Sequence, residues 1–179
     1  IKVLYDYYGD IQTIEKQYDV LKKQVDFMHS VTPNHIVQTC ISDHESIDEK
    51  PVSLSATAFY YHHVIILKDF AILLNKIYDV KKYDGLANDI KAAYIKTFLK
   101  SGTGIFDSGT QAAQLISFNY DLVPESEKKA ALDQLILEIF NKHKGHLSTG
   151  IFATKYMFDF FRMMNRNDVS YTVANQQSF

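Results

Sequence analysis

A chain of 179 residues with 46% hydrophobic content is long enough to enclose one sizeable core, and its formal charge of −2 already argues against a polyanionic partner. No basic run exceeds Lys22-Lys23 or Lys128-Lys129, which excludes the clustered lysines and arginines of a nucleic-acid groove. The single Cys40 excludes an internal disulfide and reads as a small apolar residue, not a nucleophile.

In chain order, the pattern predicts helices near 1–8, 10–29, 54–78, 82–100, 110–120, 125–143, 150–164 and 167–179. The chain opens on Ile1 in mid-pattern, so it reads as a segment of a longer polypeptide and leaves its compartment undecided. In the second helix Ile11, Ile14, Tyr18, Leu21, Val25 and Met28 recur at steps of three and four, with Glu15, Lys16, Lys22 and Lys23 opposite, so one face is wet. Only His35 to Ile41 alternates in the manner of a strand. Leu54 to Leu74 is apolar on nearly every face, as expected of a helix surrounded by protein, and neither it nor Ile151 to Met164 is read as transmembrane. A single stripe returns with Tyr83, Leu86, Ile90, Ala93 and Phe98, and again with Leu132, Leu135, Ile136, Ile139 and Phe140. Ile151 to Met164 is once more apolar all round. Enclosed and one-faced helices therefore alternate, which predicts an all-α, double-layered barrel of inner and outer helices.

In such an alternation, connections from outer to inner helices share one end of the barrel. Three polar loops meet that description: Cys40 to Glu45 with the acids after it, Ile105 to Gln111, and Gly145 to Gly150. They bring inner-helix N-termini to the mouth, where free backbone N–H groups favour bound oxygens. Phe59, Tyr60, Tyr61, Phe106, Phe152 and Tyr156 flank them. Carboxylates, amides and aromatic faces together suit a sugar, with hydroxyls to pair and C–H faces to cover.

Five ordered motifs carry a family resemblance: Tyr7-Tyr8-Gly9-Asp10, the Asp43 loop, Ala56-Thr57-Ala58-Phe59-Tyr60-Tyr61, Asp107-Ser108-Gly109-Thr110-Gln111 and Gly145-His146-Leu147-Ser148-Thr149-Gly150. In this order and spacing, over essentially the whole chain, they resemble bacterial α-L-rhamnosidases of glycoside hydrolase family 78. The resemblance implies an (α/α)6 barrel, the six-hairpin toroid, with residues 1–179 as a single partial domain from its centre and the remainder of the barrel on both flanks. It implies inverting hydrolysis of a terminal α-L-rhamnosyl bond by a Glu acid and a Glu base, whose carboxyls stand roughly 6.5–9.5 Å apart in inverting enzymes. The family's acid lies upstream of this chain and its base in a Thr-Ile-Trp-Glu type motif downstream, so no catalytic residue is expected within 1–179. The family's Gly-Asp-Trp loop, part of the rhamnose pocket, matches Ser42-Asp43-His44, where only the Asp is kept and His44 replaces the Trp.

The resulting candidates for substrate binding are Asp43, His44, Gln111 and His146. Each has a structural alternative: Asp43 as a helix-capping group, Gln111 as a buried amide satisfying a neighbouring loop, His146 and Thr149 as part of a helix start with Thr149 or Ser148 as N-cap. Glu45, Asp48 and Glu49 read as solvated charges. His62 and His63 point about 100° apart on a helix and read as core histidines. His143 and His146 sit at i, i+3, but Lys144-Gly145 should end the helix between them, so no metal ligands are expected. No cofactor is implied by proton transfer; the expected partner is a carbohydrate, with no nucleic acid and no membrane. The competing reading is a non-catalytic helical toroid that binds carbohydrate or a protein. Inner helices starting near 54, 110 and 150 lack the fixed period of a repeat protein.

Overall fold

The computed structural model describes residues 1–178. Eight α-helices follow one another: α1 (Lys2–Tyr8), α2 (Ile11–Val31), α3 (Val52–Leu73), α4 (Ile77–Phe98), α5 (Gln111–Asn119), α6 (Lys128–Leu137), α7 (Ile151–Met163) and α8 (Asn167–Ala174). A 3-10 turn at Glu125–Glu127 leads into α6, and a π turn at Glu138–Lys142 follows it. No helix among the described residues is long and apolar enough to cross a membrane. The helical expectation for Phe179 lies outside the described residues.

Several boundaries differ from the sequence pattern. The helix expected over 54–78 stops at Leu73 because Asn75 adopts a left-handed φ of 54°, and the N–H groups of Asn75 and Lys76 return to the carbonyls of Ile72 and Ala71. This is a Schellman-type stop, in which Asn can stand where glycine usually does. The helix expected over 82–100 therefore begins earlier, at Ile77, and ends at Phe98. Leu99 and Lys100 leave it to pair antiparallel with Phe106 and Ile105, forming β1 (Leu99–Lys100) and β2 (Ile105–Phe106). His35 to Ile41, the expected alternating segment, forms no strand. Side chains of α3 take its hydrogen bonds instead: Thr57 Oγ1 accepts from the Val37 N–H at 3.1 Å, and Ser53 Oγ donates to the Val37 carbonyl at 2.8 Å. The last helix ends at Ala174, short of the expected range.

The chain forms two compact units, residues 1–36 with 59–93, and residues 37–58 with 94–178. In the first, α2 buries Ile14, Tyr18 and Val25, α3 supplies Val64, Leu67 and Phe70, and α4 supplies Tyr83, Leu86 and Ile90. Two carboxylates fix the α2–α4 register: Asp79 accepts from Tyr18 Oη at 2.9 Å and Lys22 Nζ at 2.8 Å, and Asp26 accepts from Lys82 Nζ at 2.7 Å and Tyr83 Oη at 3.0 Å. His62 is half-buried and His63 exposed, so the expected pair of core histidines is not formed: one of the two adjacent residues must face outward.

In the second unit Ala112 and Leu115 of α5, Leu135 of α6, Ile139 of the π turn, Ala153, Met157, Phe160 and Phe161 of α7, and Val169 and Val173 of α8 make one apolar cluster. Residues Gln111 to Ser117 of α5 are all buried. Helix α7, expected to be covered on every side, buries one stripe while Ile151, Phe158 and Met163 remain exposed among the described residues. The β1–β2 turn is docked through its backbone: Glu127 accepts from the N–H groups of Gly102 at 2.7 Å and Gly104 at 3.0 Å, and Gln114 Nε2 donates to the carbonyls of Gly104 and Ala131. Gly104 takes φ +68°, and a Cβ there would lie 2.2 Å from the Ala131 nitrogen, so this position requires glycine.

Candidate functional site

All three predicted mouth loops belong to the second unit, and the structure ties them together. Asp43 of the first loop has 0% of its surface exposed. Its Oδ2 accepts from the Gly150 N–H at 2.6 Å, and its Oδ1 accepts from the N–H groups of Phe152 and Ala153, both at 3.0 Å. The neighbouring His44 carbonyl accepts from the Ile151 N–H at 2.9 Å. Four successive amides at the start of α7 are thus consumed by two residues more than a hundred positions upstream. This is capping in trans: a carboxylate against helix N–H groups and the positive end of the helix dipole. The expectation that this N-terminus is free to bind ligand oxygens is therefore overturned, and so is capping by Ser148 or Thr149. Ser148 Oγ instead donates to Asp48 Oδ2 at 2.7 Å, and Thr149 Oγ1 pairs with Thr154 Oγ1 at 2.6 Å. Gly150 itself has no side-chain room, because a Cβ would lie 2.1 Å from the His44 carbonyl oxygen.

Gln111 at the start of α5 joins the third loop from the other side. Its Nε2 donates to the His146 carbonyl and its Oε1 accepts from the Ser148 N–H, both at 3.1 Å, and the residue is fully buried. Thr110 caps α5, accepting from the Ala113 N–H at 3.3 Å. Both ring nitrogens of His146 face carbonyl oxygens, Nδ1 at 2.9 Å from His143 and Nε2 at 2.6 Å from Ser178. Lys144 and Gly145 have left-handed φ values of 55° and 89°, which ends the helix before His146 as the sequence predicts.

Of the four predicted binding residues, then, Asp43 and Gln111 spend their side chains on backbone, His146 is held between two carbonyls, and His44 presents an exposed ring. The His44 side chain is 43% exposed, and its Nε2 lies 3.1 Å from Glu45 Oε1. Ser42 and Glu45, which bracket Asp43-His44, both adopt positive φ, at 57° and 63°. Such backbone costs of order 1 kcal/mol per residue and persists only where the surroundings fix it. Here the fixing contacts are the Asp43 cap and the buried hydroxyl pair Ser42–Ser55 at 3.1 Å. Cys40, read as a small apolar residue, is exposed, and its Sγ accepts from the Ser42 N–H at 3.1 Å. The small thiol is drawn to the loop backbone instead of the core.

Sequence reasoning missed Asp48. Taken for a solvated charge, it lies 2.8 Å from His143 Nε2 and 3.3 Å from Lys142 Nζ, and accepts from Ser148. Burial pushes its carboxyl up, but the Ser148 hydrogen bond and the His143 and Lys142 charges outweigh this and hold it below the usual carboxylate range. No local signal could have shown this, because its partners come from a segment far along the chain. The N–H groups of Ile47 and Asp48 also reach the Ser148 carbonyl, at 3.0 and 3.4 Å.

The family model described as the bacterial alpha-L-rhamnosidase 6 hairpin glycosidase domain matches residues 1–179. A solved alpha-L-rhamnosidase from Dictyoglumus thermophilum superposes with a TM-score of 0.91 at 34% identity, over 99% of this chain and 21% of that one. An alpha-L-rhamnosidase of Streptomyces avermitilis is 31% identical over 74% of this chain and 12% of its own length. Another, from Formosa agariphila, is 25% identical over 96% of this chain and 19% of its own. The chain therefore spans roughly a fifth or less of the length of these relatives. With a match along its whole length and the predicted all-helical fold in place, the chain belongs to the bacterial alpha-L-rhamnosidase six-hairpin glycosidase family.

Proposed function

We propose that this chain forms the central part of the catalytic barrel of an inverting α-L-rhamnosidase that removes terminal α-L-rhamnosyl residues, as one partial domain. The family match along residues 1–179 is the observation that carries this reading. The general acid that protonates the leaving oxygen and the base that activates water are assigned to parts of the parent polypeptide outside these residues, set roughly 6.5–9.5 Å apart for inversion. The contribution of this chain is positioning. Asp43 and Gln111 lock the first and third loops to the starts of α7 and α5, and His44 offers the sugar its ring face and Nε2. His146 holds the backbone on which the third loop stands. We assign Asp43 to placing His44 instead of to direct sugar contact, because its carboxylate is buried under three N–H groups.

The test is hydrolysis of a panel of aryl glycosides, headed by aryl α-L-rhamnoside, by the full-length parent polypeptide. Turnover of the rhamnoside with inversion supports the reading, and His44→Ala should raise KM with little change in kcat. Turnover of a different sugar alone, or of none, refutes it.

A further inference from the structure

The π turn after α6 does something an α-helix cannot. In an α-helix, residues five apart stand about 140° round from each other. In the wider turn Glu138–Lys142, the His143 N–H reaches the Glu138 carbonyl at 3.2 Å, and Glu138 and His143 come onto one side. π turns are rare and frequently mark functional positions. Asp48, from the first loop, meets them there. One imidazole nitrogen and two carboxylate oxygens, from Asp48, Glu138 and His143, lie within 4.8 Å of one another. His143 Nε2 stands 2.8 Å from Asp48 Oδ2 and 3.9 Å from Glu138 Oε1. Although that nitrogen is fully buried, it makes no hydrogen bond. A buried ring nitrogen without a hydrogen bond, aimed between two carboxylates, is the independent sign that the group faces a ligand.

We propose that Asp48, Glu138 and His143 bind a divalent first-row transition ion, with Zn2+ as the best match. One nitrogen and two oxygen donors at about 2.0–2.2 Å, with water in a fourth position, satisfy zinc. Ser148 Oγ, which donates to Asp48 Oδ2 at 2.7 Å, supplies the outer hydrogen bond that orients a ligating carboxylate. The Lys142 ammonium now bridges Glu138 and Asp48, so the two carboxylates already collect a cation. Its side chain is half exposed, and a divalent ion would displace it into solvent. The ion would tie the first loop to the end of α6, and this role does not depend on the hydrolase reading.

The experiment uses the full-length parent polypeptide, stripped with chelator and dialysed against Zn2+ or Co2+. The wild type should retain one more zinc equivalent than His143→Ala or Asp48→Asn, and the cobalt form should show a ligand-field absorption band that both variants lack. Ser148→Ala should weaken binding roughly 10- to 100-fold. Lys142→Met, which removes no ligand, should bind zinc more tightly, and it decides the matter where a ligand variant fails to fold. Equal zinc content and identical cobalt spectra in the wild type, His143→Ala and Lys142→Met overturn the assignment and leave the trio as an ion-pair cluster.

Discussion

Replacing Asp43 by Ala tests whether the mouth is held from the first loop. Its carboxylate accepts three N–H groups at 2.6, 3.0 and 3.0 Å, where an ordinary N-cap side chain satisfies one or two. Gly150 and Ala153 are buried, and Phe152 is half-buried. In the Ala variant, water can reach the Phe152 amide, but two buried donors lose their partner at about 1–3 kcal/mol each. Losing the carboxylate at the positive end of α7 adds about 0.5–1 kcal/mol, so the whole effect is roughly 2.5–7 kcal/mol. Asn keeps one acceptor oxygen but turns an NH2 group toward an N–H, and should cost roughly half as much. Hydrogen exchange on the parent polypeptide should show lost protection at Phe152 and Ala153, spreading to residues 40–50 but not to α2. A KM rise that tracks this exchange, and that His44→Ala does not deepen when added, would show that Asp43 acts through His44. Unchanged protection of the α7 amides in Asp43→Ala would refute the capping account.

Gly150→Ala should unseat the same contact from the other side: its Cβ would stand 2.1 Å from a backbone oxygen that no rotamer can move, and overpacking of this kind costs about 1–3 kcal/mol, read as a lower Tm. Phe161→Ala empties a fully buried position in the α5–α8 cluster and should cost about 3–5 kcal/mol, measured by denaturant unfolding of the parent. In the first unit, burial, and next the neighbouring His63, hold the His62 imidazole below its ordinary value. A histidine with a depressed folded pKa binds its proton more readily unfolded, so its stabilising contribution is complete above about pH 6.5 and is lost as pH falls below it. Thermal scans of wild type and His62→Gln from neutral to mildly acidic pH should show a shallower acid loss in the variant, and parallel curves would remove His62 as the cause.

What the sequence made legible follows from the range of the forces involved. The helices were readable because the stripes Ile14-Tyr18-Val25 and Tyr83-Leu86-Ile90 are set by contacts repeating every three or four residues, and these residues are buried as predicted. The end of α3 was misread because the apolar run continues through Ile77 and Tyr78, past the Asn75 stop that backbone conformation alone imposes. The Asp43 loop was recognisable as important, yet its partners Gly150, Phe152 and Ala153 lie too far along the chain for any local pattern to separate a cap from a sugar ligand. Asp48 failed for the same reason. This division bears on specificity. Asp43 and Gln111 are consumed in holding loops, while His44 stands on a strained turn with its ring exposed. A position fixed in backbone but open in side chain can exchange one ring for another at little cost to the fold. His44→Trp should therefore leave the unfolding free energy of the parent within about 0.5 kcal/mol of wild type, the range of surface substitutions, while changing KM among deoxysugar and hydroxymethyl sugar glycosides. A fall in stability matching that of Asp43→Ala would show instead that His44 belongs to the fastening and not to the pocket.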